Sequence, residues 1–125
     1  MFAWADYLRL AKELCTRTES ESALRTAISR AYYSAFCTAA WHRYPDGPPF
    51  STQRDRHTIV WNEFRQSGRD YAWIGLNGDR LKRYRINADY EPEFSGDLAK
   101  TAELVISEAQ KILDYCRMHP KFPAP

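Results

Sequence analysis

The chain has 125 residues, a formal net charge of +2 at pH 7 and 44% hydrophobic residues. This length suffices for one hydrophobic core but not for two, so we expect a single domain over residues 1 to 125. A net charge this small does not by itself demand a nucleic acid partner. The basic residues are clustered, however, because Arg80, Lys82, Arg83 and Arg85 fall close together. This cluster predicts a local positive patch on a nearly neutral body.

The cysteines and the N-terminal stretch indicate the cellular compartment. Cys15, Cys37 and Cys116 are odd in number and lack Cys-x-x-Cys spacing, which argues against a disulfide framework and a zinc site. The opening "MFAWADYLRLAKEL" carries Asp6 and Arg9 within its apolar run, unlike a signal peptide or membrane span. We therefore expect a cytoplasmic protein with no bound metal and no membrane association.

Apolar residues recur every three or four positions along most of the chain, a spacing typical of amphipathic helices. Thr18 and Glu21 fit a capping box at the start of the second helix, and the third helix begins near Ser51 or Thr52. The predicted helices cover residues 3 to 16, 20 to 43, 52 to 67, 77 to 86 and 95 to 118. Together they predict an all-α, up-and-down bundle of four to five helices.

The ends of the last two helices follow from local signals. Asn77 is a candidate cap for the fourth helix, and Ser95 is the predicted cap of the fifth. Glu91 precedes a proline, which disfavours the helical region of the backbone. The stretch "INADYEPEF", residues 86 to 94, is therefore expected to be extended.

The stretch "SRAYYSAF" in the second helix contains two adjacent tyrosines. Neighbouring helical residues point about 100° apart, so Tyr32 in the core would leave Tyr33 facing another element or a partner. In the alternative interpretation, Arg30 extends along the apolar surface and both tyrosines keep their hydroxyls at its edge.

Familiar catalytic motifs are missing from the sequence. It has no Gly-Lys-Ser/Thr phosphate loop, no His-Glu-x-x-His and no nucleophile elbow. His57 shares a predicted helix face with Trp61 and Phe64, which favours a hydrogen-bonded core histidine over a catalytic one. His42 and His119 lie near helix ends, where positive charge is favourable.

Three separated stretches carry a resemblance to a known family: "RTAISRAYYSAFCTAA", "RHTIVWNEF" and "IGLNGDRLKRYRINADYEP". They resemble the small single-domain prokaryotic branch of the HEPN superfamily, the higher eukaryote and prokaryote nucleotide-binding domain. The resemblance covers nearly all of residues 5 to 118. It implies a helical bundle without a cofactor that forms a homodimer. Such proteins are often encoded beside a nucleotidyltransferase in toxin-antitoxin or phage-defence systems.

The active members of this superfamily are metal-independent RNases that use an Arg followed, after four to six residues, by a His. In "RINADY" the corresponding position is Tyr90, and no histidine lies between Arg85 and His119. Compared with an imidazole, whose pKa is near 6.5, a phenol with a pKa of about 10 is a poor base. The pKa difference corresponds to about 5 kcal/mol that the environment would have to supply. Binding is therefore favoured over catalysis, although enzymatic activity stays open.

Three hypotheses of function follow. The first is a HEPN module that binds RNA or a nucleotide, or a nucleotidyltransferase partner. Its candidate binding residues are Arg30, Tyr33, His57, Arg83 and Arg85. The second is an endoribonuclease with Arg85, Asp89 and Tyr90 as candidate catalytic residues and His57 contributed by the third helix. The third is a dimeric helical interaction domain without chemistry, in which "RINADY" only closes a helix end.

Two further expectations concern the same stretch. Arg85 and Asp89 are four residues apart, which is one turn if the helix continues that far, so we expect a partly buried ion pair that also involves Arg30 or a tyrosine hydroxyl. In related toxins a tyrosine near the Arg and His pair accepts AMP from the partner enzyme, and the resemblance makes Tyr90 the candidate acceptor. Aromatic residues are 14% of the chain, including Trp41, Trp61 and Trp73, and we expect some of them to cover a two-fold interface.

Overall fold

The computed structural model describes residues 1 to 49 and 55 to 123. Over these two ranges the chain forms five helices and no strand. The helices are α1 (Ala5–Cys15), α2 (Glu21–Arg43), α3 (Arg56–Arg65), α4 (Arg69–Tyr90) and α5 (Leu98–Met118). The predicted all-α bundle is confirmed. The predicted start of the third helix at Ser51 or Thr52 lies outside the described residues.

Helix α2 is the centre of the bundle and packs against each of the other four helices. Its buried face is rich in alanine, which lets neighbouring helices approach closely. The alanines buried on this face are Ala23, Ala27, Ala31, Ala35, Ala39 and Ala40. The predicted capping box is wrong, because the helix begins at Glu21 and its cap is Ser20, whose Oγ accepts from the Ala23 amide at 3.2 Å. Thr18 lies too far before the first turn.

Helix α4 is much longer than the predicted segment of residues 77 to 86. It begins at Arg69, directly after Gly68, whose φ of 103° lies in the region that glycine adopts without strain. Asn77 is not a cap, because it is buried in the middle of the helix and donates from Nδ2 to Glu108 Oε2 at 3.0 Å. The predicted extended stretch is also wrong for residues 86 to 90, which are helical.

Two glycines explain how α3 lies against α4. A Cβ atom at Gly75 would stand 2.4 Å from the carbonyl oxygen of Trp61. A Cβ atom at Gly78 would stand 2.4 Å from the ring of the same tryptophan. The backbones of the two helices are therefore nearly in contact, and the Trp61 side chain is pressed into the core, where it is buried. Trp61 thus covers no interface, whereas Trp41 and Trp73 are exposed.

The end of α4 is fixed by an arginine from α2. Glu91 leaves the helix with φ −91° and ψ 129°, as expected for a residue before proline. The Arg25 guanidinium donates to the carbonyl oxygens of Ala88, Glu91 and Pro92 at 3.0, 2.6 and 3.1 Å. These bonds satisfy carbonyl groups that the helix end leaves without partners.

Helix α5 starts slightly later than predicted. Asp97 caps it by accepting from the Lys100 amide at 3.0 Å, so the prediction of Ser95 as the cap is wrong. Its apolar stripe faces α2 and completes the core. Among the described residues, no helix is both long and apolar enough to cross a membrane.

Candidate functional site

The two adjacent tyrosines of α2 separate as the helical geometry predicts. Tyr32 is fully buried in the core, and Tyr33 is half-buried. Arg85 extends from α4 toward both, with its Cζ 5.5 Å from the Tyr32 ring centroid and 5.3 Å from that of Tyr33. Such distances are typical of cation–π contacts. The seam between α2 and α4 is therefore an aromatic surface with a guanidinium held against it.

Arg85 is buried, with 8% of its surface exposed. Its Nη1 lies 3.7 Å from Asp89 Oδ2, which confirms the expected ion pair but is too long for a hydrogen bond. The same Asp89 oxygen accepts from Ser29 Oγ at 3.2 Å. Arg85 Nε is buried and has no hydrogen-bond partner among the described residues. The Nε–H group of Arg85 is thus removed from water and has no acceptor among the described residues.

Arg30 lies beside this pair rather than within it. Its Cζ is 5.0 Å from the Tyr33 ring centroid and 4.8 Å from the Tyr7 centroid. Arg30 and Arg85 therefore both contact the Tyr33 ring, but Arg30 does not take part in the ion pair with Asp89. Within the described ranges, no residue hydrogen-bonds the Tyr33 hydroxyl. Two guanidinium groups thus converge on a single tyrosine.

His57 also contacts the rings of both tyrosines. Its ring stacks on Phe36 with centroids 3.9 Å apart, and its Nδ1 is 2.7 Å from the Tyr32 hydroxyl. Burial, together with the nearby charges of Arg85, Arg56 and Lys82, lowers the pKa of His57 to about 4. His57 is therefore neutral at physiological pH. This arrangement confirms the expected hydrogen-bonded histidine.

Tyr90 and Arg83 occupy the exposed side of the same helix. Tyr90 is 71% exposed, although one contact joins it to the site: the Arg85 Cζ lies 5.9 Å from its ring centroid. Its exposure comes from its place at the end of a helix and not from an extended backbone. Arg83 is exposed and pairs with Asp79 Oδ2 at 3.3 Å. Of the predicted residues, Arg83 is thus the one set apart from the buried cluster.

The sequence did not reveal what Ser29 and the Tyr32 hydroxyl do in the site. The Ser29 hydroxyl donates to Asp89. The Tyr32 hydroxyl lies between His57 and Trp61, and the Trp61 Nε1 is 3.0 Å from the Tyr32 oxygen. Ser29 precedes Tyr32 by three positions and Tyr33 by four, so all three lie on neighbouring parts of one helix face. That spacing was a signal in the sequence, whereas the link to Trp61 depends on how α3 packs.

The described part of the chain holds no group of three or more His, Cys, Asp or Glu side chains that could bind a metal ion. A surface cavity of about 480 Å³ lies elsewhere, between the N-terminal segment, α2 and α5. It is lined by Trp4, Trp41 and Asp114, among others, and by none of the predicted site residues. The chemistry around Arg85 therefore belongs to a shallow seam and not to this cavity.

Comparisons with models of protein families, with curated proteins and with solved structures find no match to this chain. No relative therefore transfers a residue role to the seam between α2 and α4. Its possible chemistry follows from the donors, charges and distances described above.

Proposed function

We propose that the chain is a HEPN-type binding module that holds a phosphate group of RNA or of a nucleotide at Arg85. The observation that carries this proposal is the buried Arg85 side chain, whose Nε–H group has no acceptor among the described residues. Arg85 Nε has no hydrogen-bond partner among the described residues, and the nearest carboxylate oxygen is 3.7 Å from Nη1. A desolvated cation in this condition is stabilised by an anion that accepts its hydrogen bonds.

The electrostatic surroundings favour a phosphate over a neutral ligand. Arg30 shares the Tyr33 ring with Arg85, and Arg56 and Lys82 lie close enough to His57 to lower its pKa. Asp89 is the carboxylate paired with Arg85, and its Oδ2 is already engaged by Ser29. Lys82 is paired with Asp79 at 3.5 Å. The guanidinium groups of Arg30 and Arg85, by contrast, both contact the Tyr33 ring, and the single carboxylate of Asp89 pairs with Arg85, which favours a positive potential at the seam.

Binding is better supported than cleavage of RNA. Metal-independent cleavage needs a base for the 2'-hydroxyl and a positive charge on the phosphate. Arg85 supplies the charge. Tyr90 contacts Arg85 only through its ring face, and the Nδ1 of His57 is occupied by the Tyr32 hydroxyl. The endoribonuclease therefore remains the second candidate, carried by the closeness of Arg85 and Tyr90.

The proposal includes a homodimer, which the HEPN resemblance implies. Helix α4 exposes a short apolar stripe near its start. Its members are Trp73 and Leu76, which lie one turn apart. Two copies that pair through this stripe would remove it from water. A nucleotidyltransferase is the proposed partner of the dimer, in a toxin-antitoxin or phage-defence system.

Fluorescence anisotropy with a labelled single-stranded RNA tests the binding function, with ATP and inorganic phosphate as competitors. We expect Arg85→Ala to weaken RNA binding by at least about tenfold, because a charge-assisted contact is lost. Arg117→Ala is the matched control, since Arg117 is exposed and forms a similar pair within α5. Equal binding by wild type and Arg85→Ala would refute the proposal.

The same proteins distinguish the remaining hypotheses. RNA cleavage without metal that disappears in both Arg85→Ala and Tyr90→Phe would establish the endoribonuclease. Neither binding nor cleavage, in a protein that is folded, would leave a helical interaction domain in which Arg85 only joins α2 to α4. Circular dichroism of each variant reports whether the fold is intact.

A further inference from the structure

The hydrogen bonds around the Tyr32 hydroxyl determine where its proton lies. Trp61 Nε1 is 3.0 Å from the Tyr32 oxygen and can only donate. Tyr32 is fully buried, so its own proton needs a protein acceptor. Among the described residues, the acceptor within reach is His57 Nδ1 at 2.7 Å. The hydroxyl therefore accepts from Trp61 and donates to His57.

We propose that Tyr32 fixes His57 as the tautomer with its hydrogen on Nε2, and that this N–H is a second donor to the phosphate bound at Arg85. Tyr32 is then a positioning residue, and His57 is a binding residue that donates. The donor role rests on the proposed function, whereas the tautomer is a property of the free protein.

Geometry links His57 to the Arg85 site through shared neighbours. Arg85 lies over the rings of both Tyr32 and Tyr33. His57 stacks parallel to Tyr32 with centroids 5.6 Å apart and meets Tyr33 edge-on at 5.8 Å. The guanidinium and the imidazole thus border the same pair of tyrosines. A phosphate at the accessible edge of Tyr33 would have an arginine donor and an imidazole donor available from two different helices.

The direction of the imidazole hydrogen separates this role from general base catalysis. With Nδ1 accepting from Tyr32 and Nε2 carrying the hydrogen, neutral His57 has no free lone pair to accept a proton from a ribose hydroxyl. The hydrogen bond from Trp61 to Tyr32 depends in turn on the packing of α3 on α4, where Gly78 leaves room for the indole. The same contact that joins two helices therefore orients the donor.

Nitrogen-15 NMR of the free protein labelled at histidine tests the tautomer directly. We expect a pyrrole-like Nε2 and a pyridine-like Nδ1 for His57, with the signal identified by its loss in His57→Asn. In Tyr32→Phe the two nitrogens are expected to shift toward averaged values, because either tautomer is then allowed. A pyrrole-like Nδ1 in the wild type would overturn the proposal.

Two substitutions test the donor role in the RNA anisotropy assay. His57→Gln places an amide donor near the original Nε2, whereas His57→Asn retains an acceptor for Tyr32 and loses the outer donor. We expect His57→Gln to bind like the wild type and His57→Asn to bind about tenfold more weakly. Thermal unfolding of both variants provides the folding control.

The outcomes separate this inference from the proposed function. If Arg85→Ala abolishes binding while His57→Asn binds like the wild type, the donor role fails and the Arg85 site stands. If both His57 variants lose binding equally while folded, the donor role also fails. If RNA and phosphate do not bind the wild type, the proposed function and the donor role fall together, and the tautomer is decided by NMR alone.

Discussion

Arg85 and Asp89 lie one turn apart on α4, and the Arg85 Nη1 stands 3.7 Å from the Asp89 Oδ2. The carboxylate is anchored by Ser29 of α2, so the pair also joins two helices. The arginine is more deeply buried than the aspartate. In the free protein the charge of Arg85 is therefore compensated by a carboxylate that does not form a hydrogen bond with it.

Replacing Asp89 by Ala should lower the free energy of unfolding by about 1 to 3 kcal/mol, because it leaves a desolvated guanidinium without a counter-charge. Urea denaturation measures the change. Asp89→Asn is the control, since it preserves an acceptor for Ser29 and removes only the charge. An unchanged unfolding midpoint in Asp89→Ala would mean that water, and not the carboxylate, compensates the Arg85 charge.

Gly75→Ala tests the close approach of α3 and α4. Alanine is the better helix former by about 1 kcal/mol, yet its Cβ would meet the Trp61 carbonyl oxygen at 2.4 Å. We expect a net loss of about 1 to 3 kcal/mol in unfolding free energy, because backbone atoms cannot yield as a side chain can. Asn62→Ala, at an exposed position of α3, is the control, because it changes helix propensity without a steric contact. A stabilised Gly75→Ala protein would contradict the described packing.

The pH dependence of stability should carry the signature of His57. Its pKa is lowered from 6.5 to about 4 by burial and by Arg85, Arg56 and Lys82. Between these values the unfolded chain binds a proton that the folded chain does not, so stability falls as pH drops from 6.5 toward 4. Above pH 6.5 the residue is neutral in both states and has no effect. Urea unfolding midpoints of the wild type and of His57→Asn, measured at several pH values in this range, isolate the contribution of His57 to stability. Midpoints that change with pH in parallel for the two proteins would refute this contribution.

The exposed stripe of α4 predicts the oligomeric state. We expect light scattering to give twice the chain mass of 14.6 kDa for the wild type at tens of micromolar. Leu76→Glu should yield the monomer, because a charge within an apolar interface is strongly unfavourable. Leu10→Glu is the matched control on α1, where the leucine is also exposed. A monomeric wild type would exclude the dimer at this concentration.

Tyr90 is the proposed acceptor of AMP from a partner nucleotidyltransferase. Its exposure of 71% leaves the hydroxyl accessible, and Arg83 is exposed about two turns earlier on the same helix, where it would attract a triphosphate. Incubation with that enzyme, ATP and magnesium should add the mass of one AMP per chain. The addition should vanish in Tyr90→Phe and persist in Tyr84→Phe. Addition to both variants would place the acceptor elsewhere.

The sequence by itself determined the helical class and most of the boundaries of α1, α2 and α5. The period of the apolar residues is enough to locate these helices, although the predicted caps Thr18 and Ser95 are wrong. The sequence also determined the outward turn of Tyr33, which follows from angles around a single helix. The predicted pairing of Arg85 with Asp89 is confirmed because α4 continues to Tyr90. Contacts within one helix are fixed by residue spacing.

Only the tertiary structure decided the length of α4 and the surroundings of His57. Two glycines make "IGLNG" a weak helix former, yet Gly75 and Gly78 are the residues that let α3 pack on α4 and bury Trp61. The Tyr32 hydroxyl then links that tryptophan to a histidine on the same helix as the tryptophan. Such contacts join residues distant in sequence, and their geometry depends on how closely whole helices approach, which no local pattern encodes.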